Sequence, residues 1–393
     1  MSKPDTEKSL KPDTVLTHAG LDPRGFHGFV NPPVVHASTV LYPDIETMLT
    51  GGQTYSYGRR GTPTSKSLEA AIRELEGAAG VHLANSGLNA IALALLSCVS
   101  AGDHLLIADT AYGPTRHFAD TVLPGFGVSV EYYDPALGSD IRSLFREETK
   151  AIFTESPGSL TFEMQDIPAI AKAAAEIGAL VLVDNTWASP LYCQPLALGA
   201  DLSIQAGTKY LVGHSDAMLG TIAANERAWP KLDALHGAIG THVAPDDVYL
   251  GMRGLRTLSV RLERHAKNCL QVIDWLKDQP QIGNIRYPAL ESDPGHALWK
   301  RDFSGSSGLF SFDFIEGTSQ EQQHAFLDAL TLFGLGYSWG GFESLAIPVS
   351  LDGMRTVTPL DKNRMSVRLH IGLEDPEDLV NDIAVALKKA FGA

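Results

Sequence analysis

The stretch that decides the fold is "ALVLVDNTWASPLYCQPLALGADLSIQAGTKYLVGHSDAMLG", residues 179–220. It holds two short apolar runs, LVLV and LSIQAG, each followed by a residue that a buried strand does not need, Asp184 and Lys209. Runs this short and this apolar read as strands covered on both faces by helices. A lysine gives up roughly 2 kcal/mol of side-chain freedom, and much hydration, when it is ordered and buried. Lys209, set between such a run and a Gly-His-Ser-Asp turn, therefore calls for a chemical reason.

Working outward, the same alternation continues. "SKSLEAAIRELEGA" has helical spacing, and after it VHLA, HLLIA, VSVEYY and AIFTE alternate with amphipathic segments. Short apolar runs separated by helices predict parallel strands joined by crossovers. The expected fold is α/β, with a mostly parallel central sheet and helices on both faces, over residues 62–250. The helical pattern "DDVYLGMRGLRTLSVRLERHAKNCLQVIDWLKDQ" leads into a smaller α+β domain, 251–393, where SGLFSFDF and MSVRLHIGLE alternate like strands. Residues 1–61 show no clear period, carry NPP and GG, and read as an extended arm whose first dozen residues are mobile.

Composition narrows the partners. The 393 residues are 44% hydrophobic with a net charge of -15, enough for a large core and unfavourable for nucleic acid or an anionic membrane. No apolar run of membrane-spanning length appears, and the polar N-terminus lacks a secretory pattern, so a cytoplasmic location is expected. Cys98, Cys193 and Cys269 are far apart and read as reduced packing residues. Thirteen histidines occur without a ligand pattern, so no metal is assigned.

In open α/β sheets, ligands lie beyond the carboxyl ends of the strands. Those positions hold Ser86, Gly87 and Leu88 opening a helix, Tyr112 after HLLIAD, Asp184 after LVLV, and Thr208 with Lys209 after LSIQAG. Each has an ordinary explanation alone: a cap, a turn, packing, a surface cation. Together they match pyridoxal 5'-phosphate (PLP). The lysine forms the Schiff base, the carboxylate keeps the ring nitrogen protonated, the aromatic ring stacks, and the helix start binds phosphate.

The motifs "YGRRGTPT" from Tyr57, "LEGAAG" from Leu75, "DTAYGPT" from Asp109, "ESPGS" from Glu155, "DNTWASP" from Asp184, "TKYLVGHSDAMLG" from Thr208, "YSWGGFES" from Tyr337 and "RLHIGLED" from Arg368 complete the picture. With them the chain resembles the cystathionine and methionine metabolism family of PLP enzymes, nearest its bacterial cystathionine β-lyases, from about Thr17 to Glu374. The resemblance implies a type I aminotransferase-like fold and a homotetramer built as a dimer of dimers, with sites shared across the dimer interface. It implies that Tyr57 and Arg59 reach the neighbouring subunit's cofactor phosphate, that Tyr57, Ser338 and Trp339 line the substrate site, and that Arg368 grips the substrate α-carboxylate. One departure stands out: many relatives have serine where this chain has Ala206, which leaves more of the phosphate binding to Thr208 and the backbone of Gly87 and Leu88.

The implied reaction is β-elimination on L-cystathionine, giving homocysteine, pyruvate and ammonia, with Lys209 as the proton carrier, Asp184 as the ring-nitrogen partner and Tyr112 assisting. Trp339 in YSWGGFES and Gly158 in ESPGS favour β- over γ-chemistry. A γ-lyase or a transferase acting on activated homoserine is the enzymatic alternative. A non-catalytic regulatory protein is disfavoured by the presence of both Lys209 and Asp184.

Overall fold

A computed structural model describes residues 10–350, 354–357 and 364–392. Two sheets organise them. The larger contains β1 (Gly80–Ala84), β2 (His104–Ala108), β3 (Ser129–Tyr133), β4 (Thr149–Glu155), β5 (Leu180–Asp184), β6 (Leu202–Gln205) and β7 (Gly220–Ala224), in the order β1-β7-β6-β5-β4-β2-β3. β3, β2, β4, β5 and β6 run parallel. β7 runs antiparallel to both β1 and β6, so the sheet is mixed at that edge.

The reason for the unbroken apolar runs is visible in the packing. Leu180 and Leu182 of β5 enter one core with Leu105, Ile107 and Phe153, whereas Val181 and Val183 enter the core on the opposite face with Leu106, Ile152 and Ile170. Alternate side chains thus serve opposite faces, and each fully buried Leu, Val or Ile contributes about 1.5–3 kcal/mol. Helix Gly87–Cys98 covers the first face and Ile167–Ile177 the second.

The smaller sheet holds β8 (Ile282–Arg286), β9 (Leu309–Phe314), β10 (Gly334–Leu335), β11 (Leu345–Val349) and β12 (Ser366–His370), ordered β10-β11-β12-β9-β8. It is antiparallel except for the β10–β11 pair. Phe310, Phe312 and Phe314 of β9 pack with Phe326 and with Leu379 and Ile383 of helix Pro376–Phe391.

Two sequence expectations need correction, and a third lies largely outside the described residues. The arm is not simply extended, since Pro12–His18 and Ile45–Thr50 are helical, the latter capped by Asp44, whose side chain accepts from the Thr47 N–H. The mobility expected at the extreme N-terminus falls, through residue 9, outside the described residues. The long helical pattern is two helices, Pro245–Leu255 and Leu258–Leu276, broken at Arg256 and Thr257. There the Arg256 guanidinium donates to the carbonyls of Leu16 and Ala19, which ties the break to the first helix. Among the described residues, no helix is long and apolar enough to cross a membrane, and no cluster of potential ligands could hold a metal ion.

Candidate active site

Neighbouring strand ends place the site. β5 ends in Asp184, which lies in register with Glu155 at the end of β4 and with Ile204 of β6. β6 runs into the turn that carries Lys209, where the Lys209 N–H donates to the Ala206 carbonyl. Parallel pairing thus brings Asp184, Glu155 and Lys209 to one edge, the carboxyl end expected for ligands.

Lys209 is mostly buried. Its Nζ donates to the Ser338 Oγ at 2.5 Å and lies 5.4 Å from the centroid of the Trp339 ring. Burial, helped by the Arg368 guanidinium, lowers its pKa from 10.5 to about 8, and Asp184 opposes the change. A neutral amine is therefore accessible near physiological pH.

Asp184 is buried, and burial raises its carboxyl above the usual range, opposed first by the hydrogen bonds from Thr186 and then by Lys209. Thr186 donates its hydroxyl and its backbone N–H to Oδ1, at 2.5 and 3.0 Å, and that hydroxyl accepts from the Ala206 N–H at 2.8 Å. Oδ2 has no hydrogen-bond partner among the described residues.

Tyr112 begins helix Gly113–Thr121, and its ring is partly exposed. Its N–H donates to Glu155 Oε2 at 2.7 Å. Burial raises the Glu155 carboxyl well above its ordinary value, and nearby Asp184 adds to the rise. The Tyr112 phenol is also raised by burial and by Glu155, while Arg368 pulls it down, so it is protonated at neutral pH.

The phosphate end is a helix start. Ser86 caps Gly87–Cys98 by accepting from the Asn89 N–H at 3.1 Å, which leaves the N–H groups of Gly87 and Leu88 without intrahelical acceptors. A Cβ at Gly87 would sit 2.4 Å from the Ala206 Cβ, so only glycine lets the helix start approach the lysine turn this closely. The Thr208 hydroxyl is engaged with Leu219, donating to its carbonyl at 3.1 Å and accepting from its N–H at 2.9 Å.

Arg368 comes from the other sheet. It sits in β12, donates to the Ser338 carbonyl at 3.0 Å, and keeps a buried Nε without a partner among the described residues. Burial lowers its pKa to about 10, so it remains a cation.

The structure thus brings together Lys209, Asp184, Tyr112, Ser338, Trp339 and Arg368, with Ser86, Gly87, Leu88 and Thr208 at the neighbouring strand and helix ends. It does not bring Tyr57 and Arg59 into that group. Tyr57 is exposed on the arm, and Arg59 donates to the Gly237 carbonyl at 3.1 Å. Sequence reasoning missed Thr186 and Glu155 as site residues. Thr186 stands two residues after Asp184, a spacing at which an aspartate commonly accepts from the backbone, and Glu155 closes the run next to β5.

Comparison with known proteins agrees with this geometry. The family model described as Cys/Met metabolism PLP-dependent enzyme matches residues 13–388. A Rhizobium johnstonii relative is 53% identical over 94% of each chain, and the cystathionine β-lyase of Salmonella typhimurium is 42% identical over 98% of this chain and 99% of its own. The solved structure of cystathionine γ-lyase from Lactobacillus plantarum, complexed with L-serine, superposes with a TM-score of 0.89 at 31% identity, covering 97% of this chain and 99% of that one. A lysine, an acid, an aromatic ring and a bare helix start on one sheet edge, in a chain matched over nearly its whole length, mean that this protein belongs to the family of PLP-dependent enzymes of cysteine and methionine metabolism.

Proposed function

We propose that this protein is a carbon–sulfur lyase that cleaves L-cystathionine with water to homocysteine, pyruvate and ammonia. The observation that carries the proposal is the contact between Lys209 Nζ and Ser338 Oγ, made beside Trp339 and next to Arg368, which donates to the Ser338 carbonyl. The close relatives named for the same reaction support it.

The residues present fit PLP. Asp184 Oδ2 is left to meet a protonated ring nitrogen, Tyr112 offers a ring face, and Lys209 offers an amine. Gly87 and Leu88 offer N–H groups to a phosphate where a side chain at 87 would close the approach. Bound there, PLP supplies an electron sink for negative charge developing at the substrate Cα.

The chain's own groups do the rest. The Arg368 guanidinium can make paired, charge-assisted bonds to the substrate α-carboxylate, which fixes the Cα–H bond in relation to Lys209. Neutral Nζ takes that proton, and the ammonium so formed donates one to the sulfur as the Cβ–S bond breaks. Ser338 holds Nζ between the two positions. Asp184, whose ionised form Thr186 and Lys209 favour against the effect of burial, would hold the ring nitrogen protonated. Tyr112, protonated, would offer its ring to one face of the bound group and exclude water there.

A γ-lyase reading has a specific basis, because the Lactobacillus plantarum γ-lyase shares the fold at the same level of similarity as other solved relatives. Fold alone does not choose between β- and γ-cleavage. The bulk of Trp339 beside the carboxylate site favours the β reaction. Incubating the PLP-loaded protein with L-cystathionine and identifying the oxo acid decides between them: pyruvate is expected, and predominant 2-oxobutyrate would overturn the proposal.

The proposal extends to assembly and place. The arm, with exposed Phe29, Leu41, Ile45 and Leu49, supports packing against a second subunit in a homotetramer, so that Tyr57 and Arg59 serve the neighbour's phosphate. It extends also to a cytoplasmic location and to the division into an arm (1–61), a cofactor domain (62–250) and a small domain (251–393).

A further inference from the structure

Arg355, Thr356 and Val357 lie in sequence between β11 and β12 of the smaller sheet, yet they are fastened to the carboxyl end of the larger one. Asp109, which follows β2 directly and is 0% exposed, receives them. Thr356 donates its hydroxyl to Oδ1 at 2.8 Å and its N–H to both carboxyl oxygens, at 2.9 and 3.1 Å, and the Val357 N–H donates to Oδ2 at 3.0 Å. Thr356 and Val357 are themselves exposed, so their N–H groups owe this shelter to the acid beneath them. A buried carboxyl stripped of such donors is costly, and the acid and the segment therefore hold each other in place.

The segment has a second foot. Arg355, with a side chain only 4% exposed, donates Nη2 to the Thr161 hydroxyl and to Glu163 Oε1, the latter at 2.6 Å, on the loop that follows β4.

Those two loops seat Tyr112. Asp109 stands three residues before it, and Arg116, one helical turn after it, reaches back to donate Nη1 to the Asp109 carbonyl at 3.1 Å and to Oδ1 at 2.9 Å. The Tyr112 carbonyl accepts from the Arg116 N–H at 3.1 Å, and no side chain caps the helix that starts there. From the other loop, Glu155 at the end of β4 accepts from the Tyr112 N–H. The loops also touch directly: the Ser159 N–H donates to the Thr110 carbonyl at 2.9 Å, and a Cβ at Gly158 would lie 2.4 Å from that of Thr110. The Tyr112 ring is partly exposed, so its aim is set by the backbone that these loops fix.

We infer that residues 355–357 are a clasp joining the Asp109 loop to the Thr161–Glu163 loop, and that Asp109 is a positioning residue for the Tyr112 ring. The clasp ties the seat of that ring to the connection that leads into β12, the strand of Arg368. The positioning role rests on the reading of Tyr112 as the ring that faces PLP, whereas the clasp does not.

Hydrogen–deuterium exchange of the PLP-loaded holoenzyme, read by mass spectrometry, tests the clasp. In Asp109→Asn an NH2 group replaces one accepting oxygen, and exchange in a peptide spanning 354–357 is expected to rise about tenfold. Arg355→Met is expected to raise exchange in a peptide spanning 158–163. Thr356→Val keeps both N–H groups, and a rise of about threefold at 354–357 is expected; should Asp109→Asn not fold, this variant and Arg355→Met decide the matter. Unchanged exchange in these variants would overturn the clasp.

The positioning role is read from the induced circular dichroism of bound PLP and from L-cystathionine turnover. Asp109→Asn is expected to weaken the dichroism and to lower kcat about tenfold, whereas in a Tyr112→Ala background the same substitution should change either by no more than about twofold, because the ring it positions is gone. Losses that multiply in the double variant would show that Asp109 serves the fold alone and would overturn its positioning role. A protected 354–357 segment in a holoenzyme whose PLP dichroism and PLP affinity ignore Tyr112→Ala would instead overturn the reading of Tyr112.

Discussion

Thr186 donates both its hydroxyl and its backbone N–H to the same oxygen, Oδ1, of Asp184. Because that hydroxyl also accepts from the Ala206 N–H, its own hydrogen is committed to the carboxylate. The carboxylate is thereby fixed in rotation through Oδ1, and Oδ2 accepts no hydrogen bond among the described residues. Thr186→Val removes one hydrogen bond to a charged group, worth roughly 1.5–3 kcal/mol. PLP affinity, measured by equilibrium dialysis, should fall about 10- to 100-fold, and Thr186→Ser should restore most of it.

The amine of Lys209 should report its lowered pKa. A lysine brought down from 10.5 to about 8 gains neutral amine as pH rises, with half neutral near that value. The rate at which PLP-free protein captures PLP should climb from pH 6 with its midpoint at about 8, and level off about a unit above that. Arg368 is the second cause of the lowering, so Arg368→Gln should move the midpoint upward, towards 10.5. A midpoint unaffected by that substitution would remove Arg368 from the account.

Glu76 offers a stability test away from the site. Its buried carboxyl accepts from the Ser203 hydroxyl at 3.0 Å and from the Gln205 amide at 3.4 Å, while Oε2 has no partner among the described residues. Burial raises its pKa from 4.5 to about 7. Between those values the folded chain holds a proton that the unfolded chain has released, so stability falls as pH rises through this window and is lowest above pH 7. The loss is on the order of 3 kcal/mol. Glu76→Gln should flatten this dependence, and urea midpoints of the two PLP-free proteins from pH 5 to 8 should diverge in favour of the variant. Parallel curves would show that Glu76 does not titrate in this range.

The arm makes a prediction about assembly. Leu41 is 84% exposed and Leu49 79%, values that suit a surface covered by another subunit. Leu49→Asp should shift the protein to smaller species in sedimentation velocity and lower PLP occupancy, because Tyr57 and Arg59 lie on the same arm. A tetramer that persists with unchanged occupancy would separate the arm from assembly.

Legibility in the sequence followed physical rules. β1, β2 and β4 to β6 were readable because their runs are mostly buried and apolar on both faces, β3 because its aromatic and β-branched residues stand at the same spacing although it is half exposed, and Asp184 and Lys209 because a charge just after such a run is unusual. β7 was not, since GTIAA is small, alanine-rich and short, and nothing local marks its antiparallel direction. β11 contains Pro348, which argues against a strand, and β8 is half exposed and lacks alternation. The helix Ile45–Thr50 is six residues with none buried, below the length at which a period can be recognised. Thr186 and Glu155 were hidden for another reason: their importance comes from register and hydrogen bonding with Asp184 and Tyr112, which spacing along the chain does not display. Ala206 raised a question about phosphate binding, and the structure places its Cβ against Gly87.

Covalent trapping tests most directly whether Lys209 and Asp184 serve one cofactor. The PLP-loaded protein is reduced with borohydride, digested and mapped by mass spectrometry, in parallel with Asp184→Asn. The pyridoxyl group is predicted on Lys209 alone in the wild type, with the same site labelled and cystathionine turnover lost in the variant. Labelling at another lysine, or full turnover in Asp184→Asn, would contradict it.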